Sequence, residues 1–268
     1  MAKKALCIGI NDYPYEGFDL LGCINDANAW AELLSSHYDF PRSDIKLLLN
    51  AEAKKKDYIN GIKSLLAGAT SGDVLVITNS SHGSYLADKS GDEEKYDQVI
   101  CPYDVKENIL LDDELREIFS ELKPGVRLTV ISDSCHSGTV TRAIPIVPAS
   151  VADDIHMRFM DPYLRGDPEL HDPFKAKPRR REIYPESEMK ELLLAGCKDI
   201  EFSYDARIRG VYHGAMSCFA LQAIRDANYK ITYAELVKRV SKLLDEVGFP
   251  QHPQLEGRDE RKNQQIFV

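Results

Sequence analysis

Short apolar runs alternate with amphipathic stretches along most of this chain, and that alternation restricts its fold more than any other feature. Residues 4–10 read as a buried strand, and residues 26–38 set Ala27, Trp30, Ala31 and Leu34 on one helical face. Strands are likewise expected over 45–49, 74–78 and 127–132, with helices over 58–67 and 112–122. Strands buried on both faces and separated by helices pack into a parallel sheet covered on each side. The expected class is therefore α/β, a three-layer sandwich around a central, mostly parallel sheet.

Between residues 139 and 188 the periodicity stops, and prolines gather at Pro145, Pro148, Pro162, Pro168, Pro173, Pro178 and Pro185. So long an irregular stretch reads as a linker or a functional loop. Regular structure resumes with a strand at 191–195, helices at 215–227 and 232–247, and a closing strand at 264–268. Thr232 and Glu235 have the spacing of a capping box. The chain thus divides into a larger block (1–142), a Pro-rich linker (143–190) and a smaller block (191–268), all around one sheet.

A net charge of −9 over 268 residues argues against general attraction to nucleic acid or anionic membrane, and suits cationic partners. The six cysteines are scattered without the paired spacing of a zinc site, which fits a reducing compartment. With no signal-type leader and no bilayer-length apolar run, a cytoplasmic location is expected.

Open parallel sheets bind ligands beyond the carboxyl ends of their strands. Two such ends carry reactive groups: strand 74–78 runs into Asn79-Ser80-Ser81-His82-Gly83, and strand 127–132 into Asp133-Ser134-Cys135-His136-Ser137-Gly138. A thiol is only slightly ionised at neutral pH, so cysteine catalysis needs an imidazole to take the proton and return it to the leaving amine. His82 is placed to do this for Cys135. Gly83 and Gly138 let backbone N–H groups approach a bound carbonyl, as an oxyanion hole requires. Each signal has a bland counterpart: a strand-end cysteine serves as a small buried hydrophobe, a loop histidine as a solvated side chain.

Together the two strings resemble the histidine and cysteine boxes of metacaspases and their prokaryotic orthocaspase relatives. The likeness covers most of the chain. Residues 5–11 resemble the family's first strand, Gly22-Cys23-Ile24-Asn25-Asp26-Ala27 its following loop, and Leu194-Ala195-Gly196-Cys197 the first strand of its small subunit. It implies a caspase-like (caspase-hemoglobinase) fold and a cysteine endopeptidase with His82 and Cys135 as its dyad. His136, the immediate neighbour of Cys135, should point away from the thiol in extended backbone.

The resemblance also assigns Asp26 and Asp133 to the pocket for the residue before the scissile bond, lined by Cys23 and Ser80. That implies cleavage of protein or peptide substrates after Arg or Lys, with Arg gaining most through its bidentate fork. A sign argument agrees: Asp133 would repel the acidic side chain that true caspases select. Asp26 also reads as a helix N-terminal acid, and Asp133 as a loop acceptor.

No cofactor is needed for this chemistry, but the resemblance implies calcium as an activator, with Asp97, Asp112 and Asp113 as ligands. Arg142 falls where a fourth family acid is due, and Asp112 and Asp113 also suit a helix N-terminus without metal. Lys177-Pro178-Arg179-Arg180-Arg181, in the linker, is the first expected self-cleavage site, and Lys54-Lys55-Lys56 the second. Family likeness implies a monomer. Two rivals are a catalytically silent module of the same fold and a flavodoxin-like nucleotide binder. The second would need a glycine-rich phosphate loop where this chain has Asn11-Asp12-Tyr13-Pro14-Tyr15-Glu16.

Overall fold

The computed structural model describes residues 1–87, 96–135, 146–162, 186–198 and 201–268. Its centre is a six-stranded sheet. Strand β1 (Lys3–Gly9) lies between β2 (Ile45–Leu49) and β3 (Val74–Ser80), β3 pairs with β7 (Arg127–Asp133), and β7 with β9 (Glu191–Ala195), all parallel. An antiparallel strand, β12 (Gln254–Glu256), closes the far edge.

The apolar strand runs follow from burial on both faces. Ala5, Cys7, Val74, Val76 and Ile131 enter one hydrophobic cluster, while Leu6, Ile8, Leu75, Ile77 and Val130 enter another. This is the two-residue period of a strand, with apolar side chains on both sides. Helices α1 (Cys23–His37), α4 (Ala215–Asp226) and α5 (Tyr233–Val247) cover the first face through residues such as Trp30, Phe219 and Leu236. The other is covered by α2 (Lys55–Leu66) and α3 (Asp112–Ser120), through Tyr58, Ile62 and Phe119.

Two small sheets lie outside this core. One joins β4 (Gly83–Ala87), β5 (Tyr96–Ile100) and β6 (Leu110–Leu111). The other joins β8 (Ala152–Met157), β10 (Tyr204–Ile208) and β11 (Val211–Gly214), with β10 central. β8 therefore falls within the proline-rich stretch that gave no strand signal. Asp153, Asp154 and His156 supply no apolar face, and its order comes from backbone pairing with β10.

The closing strand is residues 254–256 and not 264–268. Phe267 has a φ of 56°, which no extended strand accommodates, and it reaches the core from a turn alongside Ile266. α5 begins as expected: Thr232 Oγ1 accepts the Glu235 N–H at 3.2 Å while Glu235 Oε2 accepts the Thr232 N–H at 3.2 Å. Thr232→Ala is expected to cost about 1 kcal/mol of stability, read from the urea midpoint.

Candidate active site

Parallel register brings three strand ends level: Gly9 pairs with Ser80, and Ser80 with Asp133. The residues after β3 and β7 therefore emerge side by side. A Cβ built on Gly83 would lie 1.8 Å from the Cys135 carbonyl oxygen, so the two loops touch through their backbones.

His82 is buried between Tyr13 and Phe18, whose rings lie 5.2 and 6.3 Å away. Tyr13 Oη accepts the His82 N–H at 3.2 Å and donates to the Cys101 carbonyl at 2.9 Å. His82 Nε2 sits 2.8 Å from the Phe18 carbonyl oxygen. Because a carbonyl only accepts, Nε2 carries the proton and Nδ1 is left with the lone pair. Nδ1 is buried without a hydrogen-bond partner among the described residues, as a waiting base would be.

Burial pushes the His82 pKa down to about 4 from an ordinary 6.5. The unfolded chain then takes up this proton below pH 6.5, the folded protein only near pH 4. The stability contribution is complete above the unfolded value and declines as pH falls toward the folded one, by about 3 kcal/mol in all. His82→Gln is expected to flatten the fall in unfolding free energy between those two pH values; an unchanged slope refutes the assignment.

Cys135 is fully buried, its Sγ accepting the Ser203 N–H at 2.7 Å and donating to the Ser203 carbonyl at 3.2 Å. Burial, reinforced by the neighbouring Cys197 thiol, pushes its pKa well above the ordinary range. Thiol and imidazole are both neutral in this state.

Beside them lies a buried arginine that no motif identified. Arg158 Nη2 bonds Asp26 at 2.7 Å and Asp205 at 2.9 Å, while Nη1 bonds the Asp133 carbonyl at 3.1 Å and its carboxylate at 3.3 Å. All four side chains are inaccessible to solvent. Burial opposes the Arg158 charge, but the Cys23 thiol and the three carboxylates outweigh it and hold its pKa well above the usual value. Burial in turn raises the Asp133 pKa, against the pull of Arg158.

The backbone holds these acids in place. Asp26 accepts the Gly214 N–H at 3.0 Å and pairs with His213 Nδ1 at 2.9 Å, so it does not merely cap its own helix. Asp133 accepts the Ser217 N–H at 2.9 Å, and Asp205 that of Leu21 at 2.7 Å. Cys23 is buried next to this cluster; Ser80 is buried at the register position beside Asp133, and no bond ties it to Arg158 among the described residues. Asp205 lies between Tyr204 and Ala206, whose alternation with Ile208 marks a buried strand but gives no sign that the acid between them reaches a pocket. The N–H groups of Gly83 and Cys135 converge on one oxygen, the Arg158 carbonyl, at 3.0 and 3.2 Å. Two such donors can stabilise a negative oxygen.

A family model for the metacaspase peptidase C14 domain matches residues 3–143, which hold both strand-end loops. The chain belongs to the metacaspase family. Metacaspase-1A of Neurospora crassa is 33% identical over 94% of this chain, and its counterpart in Aspergillus oryzae 32% over 94%. This metacaspase spans 62% and 67% of their respective lengths. Among solved structures, a Geobacter sulfurreducens protein superposes with a TM-score of 0.73 at 25% identity, covering 100% of this chain and 99% of that one. Caspase-1 from Spodoptera frugiperda superposes at 0.61 and 11% identity, over 95% of this chain and 86% of its own, a likeness of fold. Metacaspases are caspase-like cysteine peptidases, and this one has the caspase-like α/β fold.

Two of the acids expected to hold calcium pair with a neighbouring arginine. Asp112 and Asp113 open α3, and both bond Arg116, at 2.8 and 2.9 Å. Asp97 lies on β5 opposite Leu86. Among the described residues, no group of three or more His, Cys, Asp or Glu side chains is arranged to hold a metal ion. No step of the chemistry is routed through calcium.

Arg142, His136, Gly138 and the Lys177–Arg181 run lie outside the described residues. Lys54-Lys55-Lys56 is not an open turn: Lys54 precedes α2, and Lys55 within it pairs with Glu114 at 2.8 Å. Among the described residues, no helix is long and apolar enough to cross a membrane.

Proposed function

We propose that this metacaspase is an endopeptidase that cuts protein and peptide chains after Arg or Lys, with Cys135 as nucleophile and His82 as its general base. The observation that carries this reading is the ring of Asp26, Asp133 and Asp205 around a guanidinium, next to a thiol and an unprotonated imidazole nitrogen. An arginine's two terminal nitrogens can divide among three carboxylates; a lysine offers a single ammonium, so Arg should be preferred.

The chemistry follows from these positions. His82 Nδ1 takes the Cys135 proton as Sγ adds to the substrate carbonyl carbon, and the N–H groups of Gly83 and Cys135 stabilise the oxyanion. The imidazolium then protonates the leaving amine, and water activated by the same nitrogen hydrolyses the thioester. Phe18, through its carbonyl, keeps the histidine in the tautomer this requires.

Fluorogenic peptides ending in Arg, Lys or Asp test the proposal. Turnover is expected for Arg, more slowly for Lys, and absent for Asp and for Cys135→Ala. Turnover of none supports the silent binding module instead. Calcium as an activator would bind at Asp112 and Asp113, beside Arg116. The same assay with calcium and with chelator reads this directly, an unchanged rate leaving those acids as helix N-terminal residues.

A further inference from the structure

The candidate active site lies beyond the carboxyl ends of the strands. At their amino ends a second cleft, of about 440 Å³, opens between the start of β7, the start of β9 and the short helix Asp259–Lys262. Five cations line it, Lys123, Arg127, Lys190, Arg258 and Arg261, against one acid, Glu260. In a chain of net charge −9 such an excess of positive charge runs against the general surface. The five come from three separate stretches of sequence, so no basic run marks them.

These cations have no counterions. Among the described residues none of them forms an ion pair with a carboxylate, and the bonds they make go to uncharged groups. Arg127 Nη2 donates to the Gly72 carbonyl at 3.1 Å, and Lys190 Nζ to the carbonyls of Ser120 and Leu122. Arg261 Nη2 reaches the Leu128 carbonyl at 3.3 Å, while its Nε is buried with no partner among the described residues. Burial, against the pull of Tyr233 and with the charges of Arg127 and Arg258 added, holds the Arg261 pKa below its usual value. Arg158, by contrast, is matched by three carboxylates. Glu186 and Asp259, on the other side of Arg258, pair with Lys262 instead.

The wall of the cleft is also preformed. Lys123-Pro124-Gly125-Val126 is a tight turn, closed by the Val126 N–H on the Lys123 carbonyl at 3.2 Å with Gly125 at a φ of 82°. The Gly72 N–H fixes that turn from the neighbouring loop, donating to the Gly125 carbonyl at 2.8 Å. A ligand entering here has little backbone to order.

We propose that this cleft binds an oligophosphate, a ligand with two or three linked phosphoryl groups, gripped by the guanidinium forks of Arg127, Arg258 and Arg261 and neutralised further by Lys123 and Lys190. Each phosphoryl group brings up to about two negative charges and three acceptor oxygens, which guanidinium groups meet in bidentate fashion. Two or three of them therefore balance the excess of cations in a small space. An extended peptide would need about 13 Å of chain to bring four carboxylates, and so packs its charge less closely. The site is independent of the dyad and of the specificity pocket, and stands whether or not the protein cuts peptides.

Calorimetric titration in low salt, without divalent metal, tests this with sodium tripolyphosphate, ATP, inorganic phosphate and tetraglutamate. Tripolyphosphate is expected to bind saturably at one site, with inorganic phosphate and tetraglutamate weaker by about tenfold or more. ATP matching or trailing tripolyphosphate makes a free oligophosphate the ligand; ATP tighter by about tenfold makes it a nucleotide, and either result supports the site. Lys123 and Arg258 are exposed, and neither side chain is bonded among the described residues, so their variants should fold. Arg258→Gln and Lys123→Gln should each weaken tripolyphosphate by about tenfold, and together by about a hundredfold. Lys238→Gln, which removes a charge from the exposed side of α5, should leave it unchanged. Tripolyphosphate should also raise the thermal midpoint of the wild type and not that of the double variant.

Absence of saturable binding overturns the inference. So does tetraglutamate or inorganic phosphate binding as tightly as tripolyphosphate, or a Lys238→Gln loss equal to that of Arg258→Gln. A double variant that is folded by circular dichroism and binds tripolyphosphate like the wild type places the ligand elsewhere and sinks it as well.

Discussion

Asp133→Asn is expected to lower kcat/KM on Arg-terminated peptides by about two to three orders of magnitude, the cost of stripping one partner from a buried charge pair. The measurement belongs in an Arg158→Gln background, where no internal arginine competes for the same acids. Asparagine keeps the shape of Asp133 and an oxygen for the Ser217 N–H, so the loss reports on charge. Cys135 should still alkylate at the rate of that background. The penalty should fall on Arg and Lys peptides and spare a Gln-terminated one, since only a cation gains from the missing carboxylate. Equal losses on all three would mean that Asp133 shapes the loop and does not read the substrate.

The sheet could be read from the sequence because its strands are buried on both faces, and the boxes could be read because they follow those strands directly. Asp133 shared that legibility by opening the cysteine box, whereas Asp26, in residues 22–27, was reached only through the family resemblance. Asp205 and Arg158 did not share it: the alternation of Tyr204, Ala206 and Ile208 marks a buried strand and says nothing of the acid between them, and Arg158 follows β8, where Asp153, Asp154 and His156 leave no apolar period. Arg158 is a single basic residue, unmarked by charge along the chain, that pairing across β10 aims at the acids. Asp112 and Asp113 read equally as helix N-terminal acids, and in the structure both pair with Arg116, four and three residues along.

Gly83→Ala is expected to destabilise the fold by about 3 kcal/mol, the upper end for overpacking, and to abolish peptide turnover. The new methyl would lie 1.8 Å from the Cys135 oxygen, 2.7 Å from its carbon and 3.1 Å from its nitrogen. All three are backbone atoms of the nucleophile's own residue, so no rotamer change makes room. Nor can Gly83 withdraw: its N–H is given to the Arg158 carbonyl and its own carbonyl takes the Met160 N–H, while β4 pairs it with Ile100. Its φ is not among the positive ones, so close approach, and not a left-handed backbone, is what demands glycine here. Relief would have to come from parting the two loops, which moves the Cys135 amide away from the oxygen it shares with Gly83. Urea unfolding and turnover of an Arg-terminated peptide should therefore fail together. A variant with the wild-type midpoint and full turnover would show that the two loops do not need this contact.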